Sequence, residues 1–443
     1  MQHQPATNSA AESGCSPALL TAAEWGLAAG ALPAIAVGTN APIGLAHWVL
    51  VAHYLAVAYG CHVLRSLRAS PDLRLLRQTG FLLLIGGSLA CAAASDAYTL
   101  VAARLPQAFG LACLLVAHSP DAVASRLPVG SAILGLLAGS LVGNLVGWRA
   151  VFVTAAVMSL VAAIRHWRRE KTGCCLPEAR SPQQQSPHRP GHHPMILAVG
   201  LAGIIAPVNF YCDFRAFGLA EAVTLAVGIG LFAVYAQAPV RELVASRSPL
   251  LSLWIGAVVA GLCLLPAIFH IQHLPAPNPG FAAIQTGCVL ALAPIACALV
   301  LRLVQNAPLS LGRMAPTVGF LLLTGIILGA RSWAAVESLP VLAAVATVVG
   351  AALGLAWTRS ALRPVPMFSG LAAGVYAASY FLEFIPASLG SFSSPAAREF
   401  LHQESSVLFT AACVAFAGVG WSIMRAARTR ISQQEGSGAG KGI

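Results

Sequence analysis

The chain has very few charged residues for its length. Only 9 % of its 443 residues are Asp, Glu, Lys or Arg, whereas a soluble domain carries about a quarter. Acidic residues are the scarcer of the two signs, with 15 against 26 basic ones. So few charges do not cover the surface of a soluble protein of this size, which excludes a soluble globular domain.

Recognisable catalytic and metal-binding patterns are also missing. The 11 cysteines include no C-x-x-C pair, and most of them lie inside apolar blocks as small core residues. The sequence contains no catalytic triad, no phosphate-binding loop and no nucleotide-binding domain. Residues 1–14 are polar and lack the basic start of a cleavable signal peptide. We therefore expect a protein that is not an enzyme and that carries no cofactor or metal.

Long apolar runs dominate what is there. Fourteen blocks have about 18 to 25 residues each, the length that crosses the hydrocarbon of a bilayer. They lack the alternating pattern of barrel strands, and in lipid only a helix or a closed barrel satisfies its backbone. The sequence therefore predicts an all-α polytopic membrane protein. The predicted spans are 16–38, 46–64, 80–97, 99–118, 127–147, 149–167, 195–211, 219–238, 250–269, 281–301, 315–331, 339–357, 367–386 and 405–424.

Basic residues in the loops give the orientation. With the N-terminus in the cytoplasm, 21 of the 26 Lys and Arg residues fall on the inner side and four on the outer side. This bias is the positive-inside rule, so the net charge of +11 reflects membrane topology and not nucleic-acid binding. We expect a multi-pass protein of the inner (cytoplasmic) membrane with both termini in the cytoplasm. The polar insert 168–194 is predicted to be a flexible cytoplasmic linker.

A charge at the centre of a membrane span costs about 2.5 kcal/mol or more. The charged residues that stand out are Glu24 in the first span, Arg104 in the fourth and Glu383 late in the thirteenth, with His53, Tyr54, Gln107 and Asn144 as uncharged companions. Asp96 ends the third span. One interpretation is that Glu24 and Arg104 face a shared cavity, where Arg104 keeps the carboxyl ionised until their contact is lost and a proton is taken up. The other is a static ion pair that orients the helices.

The fifth span carries a glycine stripe in the segment "GLLAGSLVGNLVGWRAVF". Glycines at every fourth position predict a close approach by a neighbouring helix, and Trp148 and Arg149 follow at the membrane interface. The glycines are Gly135, Gly139, Gly143 and Gly147.

Several of these segments resemble the major facilitator superfamily and, within it, the fourteen-span drug:proton antiporters of the EmrB/QacA type. "EWGLAAGALPAIA" resembles the first-span signature of that family, and Glu24 falls on its acidic position. "HWVLVAHYLAVA" resembles the second span. "ARLPQAFGLA" resembles the pattern R-x-x-Q-G-x-G-A, with Arg104 on its arginine and Gln107 on its glutamine. The fifth-span glycines followed by "GWRAVF" resemble the antiporter motif.

The resemblance implies two six-helix bundles that rock about a substrate site at the bilayer midplane. The implied parts are an N-terminal bundle over 1–167, the linker 168–194, two inserted helices over 195–248, a C-terminal bundle over 249–430 and a disordered tail over 431–443. It also implies proton-coupled export of small amphipathic or drug-like compounds, with Glu24 and Arg104 as the coupling pair. The implied cavity residues are Trp25, His53, Tyr54, Gln107 and Glu383. The expected partners are a small-molecule substrate, protons and the bilayer; a periplasmic adaptor stays open.

The sequence departs from that family in the loop after the second span. The expected pattern is G-x-L-x-D-R-x-G-R-R, and the chain has "SLRASPDLRLL", with Ser66 in place of the glycine and Ser70 in place of the aspartate. A transport fold that senses or assists without turnover is therefore one alternative, and a transporter of a polar metabolite is another. A haem or metal protein is a third, suggested by His47, His53 and His62 on the second span. His47 and His53 point in markedly different directions, however, and no His pair sits at i, i+4 inside a span.

Overall fold

A computed structural model gives the tertiary structure of the chain. It describes residues 17–40, 43–66, 73–117, 129–171, 249–273, 279–305, 309–333, 339–357 and 411–423, together with the isolated positions 223, 226, 227, 370, 371, 373 and 375. The helices of this part of the chain are α1 (Pro17–Gly38), α2 (Ile43–Ser66), α3 (Leu73–Ala93), α4 (Ala97–Ala117), α5 (Val129–Leu145), α6 (Trp148–Lys171), α7 (Pro249–His273), α8 (Pro279–Gln305), α9 (Leu309–Trp333), α10 (Leu339–Ala356) and the shorter α11 (Ala411–Ile423).

The described part of the chain is all-helical, as the apolar blocks predict. Five of its apolar stretches are long enough to cross a membrane by length and composition, and the chain is a multi-pass membrane protein. These stretches are Leu73–Ala93, Ala97–Ala117, Trp148–Arg168, Gln285–Val304 and Leu339–Ala356. The predicted count of 14 helices is not confirmed, because the predicted spans 195–211, 219–238 and 367–386 lie wholly or mostly outside the described residues. The predicted division into domains stays a prediction.

Helices α1 and α5 run parallel with their backbones in contact. A Cβ on Gly135 would overlap the carbonyl oxygen of Ala23, and a Cβ on Gly139 would overlap that of Leu27. Gly26 on α1 has the same relation to the backbone of α5. Small residues on both helices allow this approach. The two helices are therefore closely packed against each other, and α1 carries Glu24.

Helices α1 to α6 form the N-terminal group. In this group α4 packs against both α2 and α3, and α3 packs against α6. At the α3–α4 contact a Cβ on Gly87 would meet the backbone of Gln107. The position of Gln107 is therefore set by main-chain packing as well as by its side chain.

The C-terminal group is built on α8 and α10, with α9 against α10 and α7 against both α8 and α10. A Cβ on Gly350 would overlap the carbonyl oxygen of Ala293, which brings α8 and α10 into backbone contact. The two groups of helices meet mainly where α5 packs on α8. There Gly287 of α8 lies against Leu137 and Ser140 of α5.

Two local predictions are wrong. Helix α3 begins at Leu73 and not at position 80, because its first turns are polar and helix propagation continues past the apolar window. Gly147 does not continue the glycine stripe, since it lies in the tight turn between α5 and α6 with φ of 115°. Glycine populates that region without steric cost, and the turn lets α6 begin at Trp148.

Candidate functional site

The two opposite charges predicted inside the spans form a buried ion pair. Nη1 of Arg104 lies 3.1 Å from Oε1 of Glu24. Arg104 is 0 % exposed and Glu24 is 4 % exposed. Position 24 is on α1 and position 104 is on α4, so the pair ties together two helices that are distant in sequence.

Besides Glu24, Arg104 contacts three other groups, which lie on α2, α4 and α6. Its Nε donates to the carbonyl oxygen of Val49 on α2 over 3.2 Å. Its Nη1 also donates to Oε1 of Gln107, one turn along α4. The guanidinium carbon lies 5.6 Å from the ring centroid of Phe152 on α6, a cation–π distance. These contacts keep the guanidinium in one position in the N-terminal group.

A chain of hydrogen bonds continues from Gln107 to α3. Its Nε2 donates to Oγ of Ser88 over 2.8 Å, and that hydroxyl donates to the carbonyl oxygen of Leu84 over 2.7 Å. The thiol of Cys91 donates weakly to Gln107 Oε1 over 3.6 Å. The polar cluster thus spans α1, α2, α3 and α4.

His53, Tyr54 and Trp25 line the same region. His53 and Tyr54 on α2 are buried, with ring centroids 6.2 Å apart in an edge arrangement. Both lie within electrostatic reach of Arg104, and the indole of Trp25 lies beside the Tyr54 hydroxyl. The structure therefore places five of the predicted residues, Glu24, Trp25, His53, Tyr54 and Gln107, around Arg104.

Buried polar atoms of this cluster that have no hydrogen-bond partner among the described residues include Oε2 of Glu24, Nη2 of Arg104 and Nδ1 of His53. Burying such atoms unpaired costs about 1–3 kcal/mol each, and more for charged groups. An acceptor and one or two donors therefore remain available for a proton, a water molecule or a polar ligand.

Other predicted residues lie elsewhere. Glu383 is outside the described residues. Asn144 is exposed and bonds its own helix at Ser140 O. Trp148 packs on Gly38 at the end of α1. Arg149 stacks on Trp148 at 4.4 Å and donates to the carbonyl oxygen of Ala94, which joins α6 to the α3–α4 turn.

Sequence reasoning missed Ser88 and Phe152. A serine in an apolar helix ordinarily bonds the carbonyl four residues earlier, so nothing in "GGSLACAA" signals that Ser88 also accepts from another helix. Phe152 is one of many apolar positions on α6. A comparison of the membrane depth of Arg104 with that of the polar residues in the neighbouring predicted spans could have identified Ser88.

The described residues contain no group of three or more His, Cys, Asp or Glu side chains that could hold a metal ion. His47 and His62 have no described side-chain position. The cluster around Arg104 is thus an arrangement of one acid, one base and neutral donors and acceptors.

Comparison with known proteins shows the fold. No protein-family model and no curated protein sequence match the chain. Among solved structures, the POT family transporter PepTSo aligns with a TM-score of 0.57 at 14 % identity, over 95 % of this chain and 97 % of that one. An auto-inhibited POT family peptide transporter aligns with a TM-score of 0.54 at 14 % identity, over 91 % and 95 %.

This chain therefore has the major facilitator fold, as predicted. The resemblance to EmrB/QacA drug antiporters receives no support from these comparisons.

Proposed function

We propose that the chain is a secondary active transporter that moves a small polar compound by alternating access and couples this movement to protons. Glu24 is the proton-carrying group and Arg104 is its counter-charge. The observation that carries this proposal is the buried Glu24–Arg104 pair inside a major facilitator fold. Ionisable residues in the membrane are expensive and mark ion and substrate pathways.

The packing of α1 explains how protonation of Glu24 could affect the distant interface between the two groups of helices. An ionised Glu24 is attracted to Arg104 on α4, and a protonated Glu24 loses most of that attraction. Helix α1 is in backbone contact with α5, and α5 packs on α8 of the C-terminal group. A change in the α1–α4 attraction therefore acts on the interface between the two groups of helices, which must move in alternating access.

The chemistry of the cluster favours a polar substrate. Glu24 Oε2, Arg104 Nη2 and His53 Nδ1 are buried polar atoms that lack partners in the described part of the chain, and a polar ligand offers the matching donors and acceptors. The two aligned structures are named as a POT family transporter and a POT family peptide transporter, so short peptides are the first compounds to test. Drug-like compounds, which the resemblance to antiporters favours, have no such support.

We place the transporter in the inner (cytoplasmic) membrane with both termini in the cytoplasm, on the strength of the loop charges. A sensor or accessory subunit with the same fold would bind a ligand without turnover.

The test is transport by purified protein in liposomes. A panel of dipeptides, amino acids and cationic dyes is first ranked by the thermal stabilisation that each gives, and uptake of the best stabiliser is then measured with an imposed proton gradient. We expect Glu24→Gln to lose gradient-driven uptake and to keep exchange of substrate without a gradient. The control is Asp96→Asn, because Asp96 is an exposed acid in the α3–α4 turn.

Undiminished gradient-driven uptake by Glu24→Gln would exclude Glu24 as the coupling acid. Ligand binding with no uptake in the wild type would favour the sensor, and a dye that outranks every polar compound would contradict a polar substrate.

A further inference from the structure

The hydroxyl of Ser88 determines which way the Gln107 amide faces. A serine hydroxyl has one proton to donate, and Ser88 gives it to the carbonyl oxygen of Leu84. Its contact with Gln107 must then be one in which Ser88 accepts from Nε2 of Gln107. The carbonyl oxygen Oε1 of Gln107 is therefore the atom that points at Arg104.

Nη1 of Arg104 is shared between two acceptors on different helices. One is Oε1 of Glu24 on α1, and the other is Oε1 of Gln107 on the same helix as Arg104. Because Gly87 on α3 lies against the backbone of Gln107, the second acceptor is fixed by the α3–α4 packing. When Glu24 takes up a proton its oxygen becomes a poor acceptor, while Gln107 remains in place.

We propose that Gln107 and Ser88 form a positioning arm that holds Arg104 while Glu24 is protonated, and that this arm sets the pH at which Glu24 gains its proton. The proposal deepens the proposed function, since it concerns the same acid. Because Gln107 competes with Glu24 for Nη1, the hydrogen bond between Arg104 and the Glu24 carboxylate is weaker. Protonation of Glu24 is therefore easier.

Other titratable groups also face Arg104 in the described part of the chain. On α2 these are His53 and Tyr54, and on α3 it is Cys91. On α6 the facing residue is Phe152, which is uncharged. All of these residues are retained in the variants below. Ser88→Ala leaves the contact of the Cys91 thiol with Gln107 available, whereas Gln107→Leu removes the acceptor of that thiol.

The test follows the carboxyl directly and needs no substrate. Infrared difference spectra of the purified protein over a pH series record the carbonyl stretch of protonated carboxylic acids, and the band of Glu24 is the one that Glu24→Gln removes. We expect Ser88→Ala to move the midpoint of this band to lower pH by about half to one unit. A shift of one unit is about a tenfold change in the protonation equilibrium. Without the arm, Arg104 Nη1 turns wholly to Glu24 and stabilises the carboxylate.

Ser159 supplies the matched control. It is buried on α6 and, like Ser88, donates to the carbonyl oxygen four residues earlier, with 2.8 Å to Ala155 O. Ser159→Ala therefore deletes the same atoms and the same local bond at a place outside the cluster. We expect its Glu24 band to titrate as in the wild type, whereas a merely structural role for Ser88 predicts that both variants behave alike.

A second variant covers the case in which Ser88→Ala does not fold. Gln107→Leu removes the other end of the arm and should move the midpoint in the same direction. In the double variant the two shifts should not add, because the residues act as one unit.

Equal midpoints in Ser88→Ala, Gln107→Leu and Ser159→Ala would overturn the proposal, as would the absence of a titrating band that Glu24→Gln removes. Unshifted midpoints would contradict the positioning arm but would not contradict proton-coupled transport. Undiminished gradient-driven uptake by Glu24→Gln would contradict the proposed function, whereas the infrared result for the arm would not depend on it.

Discussion

The parallel helix pairs α2–α4 and α8–α10 are joined by different kinds of contact. At α2–α4 a fully buried Arg104 reaches across to the carbonyl oxygen of Val49. At α8–α10 the backbones come into contact at Gly350 and Ala293. One interface includes a buried arginine, and the other includes a contact between main chains.

The two groups of helices also differ in the buried charged residues that they contain. In the described part of the chain the buried charged residues are Glu24 and Arg104, both in the N-terminal group, and the buried polar residues of the C-terminal group are Thr286 and Ser422. An ion pair weakens when one member takes up a proton. Among the described residues, the contact on which the proposed proton coupling depends therefore lies in the N-terminal group.

The largest effect is expected at Arg104. Arg104→Ala leaves Glu24 buried without its counter-charge, which should cost about 3–5 kcal/mol of unfolding free energy and abolish transport. Thermal unfolding in detergent and uptake by proteoliposomes measure the two losses. The control in the other group is Arg302→Ala, an exposed arginine in the last turn of α8, which should change stability by less than about 0.5 kcal/mol. Similar losses in both variants would remove the distinction between the two groups.

A smaller effect is expected from the glycine contact. Gly350→Ala places a Cβ against the carbonyl oxygen of Ala293 and should cost about 1–3 kcal/mol, since α8 and α10 must separate. It should leave the infrared midpoint of Glu24 unchanged. Thermal unfolding measures the first quantity. The control is Gly325→Ala on α9, where no atom lies within 4 Å of the added Cβ; an equal loss there would show that crowding at α8–α10 is not the cause.

The smallest effect is expected at Asp96, which caps α4. The backbone N–H of Thr99 donates to Asp96 Oδ1 over 2.9 Å, and this bond, with that from Ser95, lowers the pKa of Asp96 below its ordinary value of 3.8. A lowered pKa stabilises the fold above that value, and the stabilisation is lost as the pH falls through the lower folded pKa. Wild-type protein should therefore be slightly more stable than Asp96→Asn at neutral pH, and the difference should shrink below about pH 4. Thermal unfolding across this range measures it, and a pH-independent difference would contradict the capping role.

Much of the architecture is predictable from local features. Each of the first six apolar blocks overlaps one of the helices α1 to α6, because each helix must satisfy its own backbone in lipid. A buried charge needs an opposite one, and this requirement together with the family resemblance at positions 24 and 104 predicts the Glu24–Arg104 pair. The start of α3 at Leu73 is missed because hydropathy marks the apolar segment and not the full helix.

The details of the site are not predictable in this way. Ser88 looks like any serine that bonds its own helix, and the orientation of Gln107 depends on it. Both are set by the rotation of α3 against α4, which the contact at Gly87 fixes. Such contacts join residues far apart in the chain, and no local pattern records them.

Amino-acid order is thus sufficient for the helices, the membrane setting and the presence of an acid and a base among them, because apolar length and the cost of buried charge act within each segment. Tertiary packing alone decides that Arg104 Nη1 lies between Glu24 and Gln107, and that three neighbouring polar atoms of Glu24, Arg104 and His53 stay unpaired among the described residues. The physical reason is that helix rotation and depth depend on backbone contacts between different helices, and these set which polar atoms meet.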